Sequence, residues 1–216
     1  MSANDLAVPG AVCTVLPAVL LGMLLIGGCA RQPAPDLYIL DLPQGTAVSG
    51  PAQGPSVGIG PLTLPPYLDR PQIVTRDGAY RLRAAQAQVW AEPVADGITR
   101  VLSDSLGREL GSNRVVVVPQ RAREPLDWRV AIDIRRFDGT PGGTVVLAAG
   151  WTIYRGGAGE AEASHTAVFE QAVEGGDYAA LVAAEAAAVA RLGQAIAAGI
   201  TAADRGAAVR PGRRQP

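Results

Sequence analysis

From Leu6 to Gly28 the chain carries no charged residue and is dominated by Leu, Val, Ala and Gly, closing on Leu25-Ile26-Gly27-Gly28-Cys29. Beyond it the pattern breaks into short segments. Arg31 to Pro35 is a polar, proline-containing stretch. Leu37-Tyr38-Ile39-Leu40-Asp41-Leu42 reads as a first strand, because its Tyr and Ile suit a pleated surface. A Gly/Ser/Pro-rich loop (43–55) leads to a second strand, Ser56 to Leu62, whose Gly58 and Gly60 suggest a bulge or a close backbone approach. Thr63 to Asp69, with Pro65 and Pro66, cannot continue a sheet interior. Gln72 to Arg76 is a third strand. Asp77-Gly78 is a hairpin turn, and the chain returns through Tyr80 to Arg83.

The spacing then changes from two to between three and four. Val94, Ile98, Val101, Leu102, Leu106 and Leu110 form one stripe of a helix that Pro93 opens and Gly111 stops. Arg114 to Val118 is a continuous apolar run, as expected of a strand covered on both faces. The clearest alternation follows. Val130, Ile132 and Ile134 share one face of a strand from Trp128 to Phe137. Val145, Leu147, Ala149, Trp151 and Ile153 share one face of its return, and Ala163 to Val173 adds a third antiparallel strand. Asp177 caps a last, alanine-rich helix with a narrow seam of Tyr178, Leu181, Val182, Val189, Leu192, Ile196 and Ile200. From Asp204 onward Gly, Pro and Arg take over, and this tail reads as disordered.

The N-terminal apolar run admits three readings. Two small residues before a cysteine mark a bacterial lipoprotein signal peptide, removed before Cys29, whose thiol then takes the lipid. A membrane-spanning anchor and a plain secretory signal cut before Ala30 are the alternatives. Pro17 and the lack of a basic stop-transfer flank count against the span, and the absence of Lys or Arg before Asp5 departs from an ideal signal. In a Gram-negative cell, Ala30 in place of the aspartate that retains lipoproteins at the inner membrane points to the outer membrane.

Composition narrows the chemistry. The 19 basic residues are all arginine and face 20 acidic ones, for a net charge of −1, so no nucleic-acid or anionic partner is implied. With Cys13 in the signal and Cys29 acylated, the mature domain keeps no thiol for a disulfide or a metal. The one histidine, His165, has no Cys, Asp or acidic cluster beside it and reads as structural. Glu160 and Glu162 fit a solvated face. Gly139 to Gly143 and Gly156 to Gly159 lie between strands with no helix after them, so neither is a phosphate loop. No catalytic residue, metal site or cofactor is assigned. Trp90 and Trp151 read as core. The loop Thr63 to Pro71 is less ordinary: stiffened by proline, it could display Tyr67 and Leu68 as a contact surface or be a buried crossover.

Several segments together resemble one family. Tyr38 to Leu42, Val57 to Pro61, Leu64-Pro65-Pro66-Tyr67-Leu68-Asp69-Arg70-Pro71 running on to Arg76, Trp90-Ala91-Glu92-Pro93, Asp133 with Arg136-Phe137-Asp138, Leu147 with Trp151, and Asp177-Tyr178 are similar to the PqiC/YmbA-like auxiliary lipoproteins of MCE-type transport systems. The block from Leu64 to Arg76 is the most specific. The resemblance implies a single α/β domain, a three-layer mixed sheet flanked by helices, over residues 37–203, after a signal (1–28) and a tether (29–36) and before the tail (204–216). It implies no enzymatic activity and a lipid anchor at Cys29 in the inner leaflet of the outer membrane, facing the periplasm. It also implies an MCE-domain protein as partner in moving lipid between membranes. Pro65, Pro66, Tyr67, Leu68 and Arg70 are the expected partner-binding residues, with a neighbouring copy of the chain as a second partner to expect. A structural envelope lipoprotein and a periplasmic hydrolase are the competing functions; the hydrolase would need a nucleophile–base pair or a metal cluster.

Overall fold

A computed structural model of the chain describes residues 34–42, 54–118, 125–156 and 159–209, with side chains as far as 205. The expected signal, Cys29 and most of the tether lie outside them. Eight strands make two sheets. β1 (Asp36–Tyr38), β3 (Gln72–Asp77) and β4 (Arg81–Trp90) form the smaller, in the order β1-β4-β3, with β1 parallel to β4 and β3–β4 an antiparallel hairpin. β5 (Val115–Val117), β2 (Val57–Thr63), β6 (Trp128–Asp138), β7 (Thr144–Arg155) and β8 (Ala161–Ala172) form the larger, in that order. There β2 runs parallel to both β5 and β6, and β6, β7 and β8 are an antiparallel meander. Two helices, α1 (Val94–Leu110) and α2 (Tyr178–Val209), complete the described residues. This is the mixed α/β single domain that the sequence leads one to expect.

The core forms where the alternating strands meet the helical stripes. Val130, Ile132, Val145, Leu147 and Ile153 are buried on one sheet face under α2, while Asp133, Arg135, Thr166 and Val168 stand exposed. The helices pack on each other along small residues. A Cβ on Gly193 would come within 2.6 Å of the Ser105 Cβ, so α1 and α2 approach more closely than side chains there would allow. Alanine and glycine give α2 a thin seam, and its buried positions include Leu181, Val189, Leu192, Ile196 and Ile200. By length and hydropathy Tyr178–Arg205 could cross a bilayer, yet the sheet and α1 cover its apolar face.

Local chemistry sets several boundaries. The Asp177 carboxylate accepts from the Ala180 N–H at 2.8 Å, capping α2 as expected. Gly111 ends α1 at φ 59°. The glycines of β2 allow a close approach: Gly60 sits at φ 138°, and a Cβ on Gly58 would meet Leu126 and Val118. The register of β2 against β6 shifts there. Asp127 pins the start of both strands, accepting from the Ser56 N–H and hydroxyl, each at 2.7 Å.

Four local expectations are corrected. β1 stops at Tyr38, because Leu40 turns inward against Gly97 of α1 and is 1 % exposed. β4 runs ten residues, well beyond Arg83, because pairing with both β1 and β3 overrides the weak strand preference of its Ala/Gln stretch. β5 is half-buried, not covered on both faces, because it forms an edge of its sheet. α2 continues to Val209, past the boundary placed at 203.

Candidate functional site

The loop after β2 folds into a single short 3₁₀ turn, Pro66–Leu68, set by the fixed φ of its prolines. It forms one wall of a cleft of about 730 Å³. The end of β4 and the start of α1 also line it, from Trp90 and Glu92 to Ala95, and the Trp90 N–H donates to the Pro71 carbonyl at 2.7 Å. Leu62, Leu64, Leu68, Trp90 and Val94 make the lining mostly apolar; Asp69, Arg70 and Glu92 supply its charges. Glu92 pairs with Arg100 at 2.6 Å, and Arg100 also donates to the Leu40 carbonyl at 2.8 Å, which ties this wall to the chain leaving β1.

Behind the loop lies a buried polar cluster. Asp138, at the end of β6, is fully buried. Its carboxylate accepts from Arg76 Nε at 2.6 Å and Nη2 at 2.8 Å, from Arg136 Nε at 3.0 Å and from the Tyr67 hydroxyl at 2.9 Å. The Tyr67 oxygen in turn accepts from the Phe137 N–H at 3.2 Å. Burial alone would raise the Asp138 carboxyl; the bonds from Arg76 and Tyr67 and the charge of Arg136 outweigh it and hold the group below its ordinary value. The same residues join the sheets: Thr75 bridges Gly139, and the Arg76 N–H donates to the Gly139 carbonyl at 2.9 Å. Close by on α2, Glu185 is buried and its Oε2 has no hydrogen-bond partner. Burial, aided by the Asp138 charge, pushes its carboxyl up to about 8.

The five residues expected to meet a partner therefore divide. Pro66 and Arg70 are exposed and Pro65 is half-buried. Leu68 is 6 % exposed and packs into the core, and Tyr67 is half-buried with its hydroxyl turned inward. The expectation that Tyr67 and Leu68 are displayed is thus corrected: Asp138, 71 residues away, claims the Tyr67 hydroxyl. Trp90 and Trp151 are core, as expected. His165 lies on β8 and stacks on Trp151 with ring centroids 5.4 Å apart. Glu162 pairs with Arg155 at 2.9 Å. Among the described residues no group of three His, Cys, Asp or Glu side chains could hold a metal.

Sequence reading missed the organising role of Asp138, because Asp138-Gly139 reads locally as the start of a turn. A signal was present at a coarser level. Tyr67, Arg76, Arg136 and Asp138 all fall inside blocks that carry the family resemblance, and so does most of the cleft lining.

The described residues form a single mixed α/β domain with an open, mostly apolar cleft and a polar brace behind it. The chain belongs to the ABC-type transport auxiliary lipoprotein component family, whose model matches residues 38–197. The family is described by an auxiliary role in ABC-type transport. Two solved structures share the fold. One is an uncharacterized protein with 19% identity and a TM-score of 0.62, covering 78% of this chain and 99% of its own. The other is protein XCC0632 from Xanthomonas campestris, of the DUF330 family, with 17% identity and a TM-score of 0.60, covering 81% and 100%. No curated protein matches the sequence.

Proposed function

We propose that the protein is a non-catalytic lipoprotein, acylated at Cys29 and held in the outer membrane facing the periplasm, that docks onto the MCE-domain partner of an intermembrane lipid transport system. The family's auxiliary role in ABC-type transport supports the class of function. The observation that carries the docking site is the cleft: two family-like blocks, Leu64 to Pro71 and Trp90 to Pro93, supply most of its lining.

The rim is suited to contact. Pro65 and Pro66 leave the loop little freedom to lose on binding, and Arg70 offers an exposed, directional cation beside an apolar recess. Tyr67 and Leu68 act from behind, holding the loop's shape through Asp138 and the core. The test is co-purification and titration against the MCE-domain protein of the same transport system. Replacing Pro66 and Arg70 together by alanine is expected to weaken binding about thirtyfold or more, a hot-spot loss, while the thermal transition stays in place. Undiminished binding by that variant would remove the cleft rim from the interface.

A further inference from the structure

Among the described residues four large apolar side chains stand in solvent: Leu37, Ile39, Tyr80 and Val168. Tyr80 is at the β3–β4 turn and Val168 is on β8, each on its own. Leu37 and Ile39, 68 % and 51 % exposed, are two residues apart, so they share the outward side of β1 and its continuation. The residues between and after them face in: Tyr38 lies against Tyr178 of α2, with ring centroids 6.3 Å apart, and Leu40 is buried against α1. Half-buried Val89, the β4 partner of Leu37, continues the apolar surface inward. Among the described residues β1 is an edge strand, paired with β4 alone.

What covers this edge follows from where it sits in the chain. Asp36 is seven residues after Cys29, and a fully extended segment of that length spans at most about 25 Å. If Cys29 bears acyl chains, as proposed above, β1 is the first element of the domain that the tether brings to the bilayer. Flanking charge selects among surfaces. Asp36 and Asp41 bracket the two apolar residues, which disfavours an anionic surface and leaves apolar burial as the attraction. We propose that the β1 edge lies on the membrane surface, with Leu37 and Ile39 in contact with lipid, and sets the orientation in which the domain presents its cleft. The contact orients the domain; anchoring itself rests on the Cys29 acylation.

The test uses the full chain processed in cells, purified from membranes and reconstituted in vesicles of phosphatidylethanolamine and phosphatidylcholine. An environment-sensitive fluorophore is placed on Leu37→Cys or, as a control, on Val168→Cys, and quenching by brominated phospholipid is read, with the mass at Cys29 measured on the same samples. Quenching several-fold stronger at 37 than at 168, unchanged between about 0.1 M and about 1 M salt, and lost when Ile39→Asp is added, is the expected result. Equal quenching at both positions on an acylated chain overturns the proposal and leaves the anchor intact. Cross-linking of two copies through position 37 without lipid quenching also overturns it, and assigns the edge to a second chain. An unacylated mass refutes the Cys29 reading itself, and the orientation proposal falls with it for a different, identifiable reason.

Discussion

The helix–sheet core and the junction between the two sheets are built on opposite principles. Under α2 the sheet is dry, and the contacts are Val, Ile, Leu and Ala packed at close range, with Gly193 and Ser105 letting the two helices nearly touch. At the junction a single buried carboxylate collects two guanidinium groups and a phenol. The first can be altered by a methylene and yield in proportion, since apolar packing loses energy with volume. The second is all-or-none, because removing the carboxylate leaves several donors without an acceptor.

Asp138→Ala should therefore be the most damaging single change. With the Tyr67 hydroxyl unpaired and Arg76 and Arg136, both partly open to solvent, left unneutralised, the loss is expected to be about 3 kcal/mol, the low end for breaking a buried pair, measured by denaturant unfolding. A loss under about 1 kcal/mol would show that the junction is ordinary surface electrostatics. Gly193→Val probes the core side. Its side chain must displace Ser105 or push the helices apart, for an expected loss of about 1–3 kcal/mol. If it proved as harmful as the Asp138 change, the contrast between the regions would collapse.

Glu185 lies where the two regions meet, and its effect depends on pH. Its carboxyl titrates near 4.5 when unfolded and at about 8 when folded. Between those values the folded chain holds a proton that the unfolded chain has released, so stability falls as pH rises from about 4.5 to about 8 and levels off above. Glu185→Gln should remove that slope. At pH 8 its melting temperature should exceed the parent's by at least about 2–4 °C, the shift that about 1 kcal/mol gives in a domain of this size, whereas near pH 4.5 the two should coincide. Parallel melting curves across that range would show that the acid is solvated. Asp138 works the other way: its depressed pKa adds stability that is lost as the pH falls through that value.

The same contrast explains what could be read from sequence. The core was legible because burial repeats: the stripe from Val94 to Leu106 and the alternation along β6 and β7 each announce a face within a dozen residues. β4 was half-missed, because Ala84 to Gln88 carries little strand preference and its pairing partners lie in other segments. The junction was not legible from residue types at all. Tyr67 and Asp138 are 71 positions apart, and neither local context reveals the other. The candidate cleft was visible only as separate blocks of family resemblance; that Leu64 to Pro71 and Trp90 to Pro93 line one cleft is information the fold adds.

Arg191 bears on how α2 is sorted between two apolar hosts. Tyr178–Arg205 has the length and hydropathy of a membrane span, and a chain exported as proposed above would pass the bilayer before its sheet exists to receive that helix. On insertion scales a charged residue at the centre of a span costs about 2.5–3.5 kcal/mol, and Tyr178–Arg205 carries Arg191 at its middle and Glu185 two turns from its start. In the folded domain Arg191 donates to the Glu170 carbonyl at 2.7 Å and lies over the Phe169 ring, so the sheet accommodates a charge that hydrocarbon would reject. Arg191 thus makes the bilayer a poorer competitor for the helix than the sheet, while Glu185, which an apolar host keeps protonated, adds less to that choice.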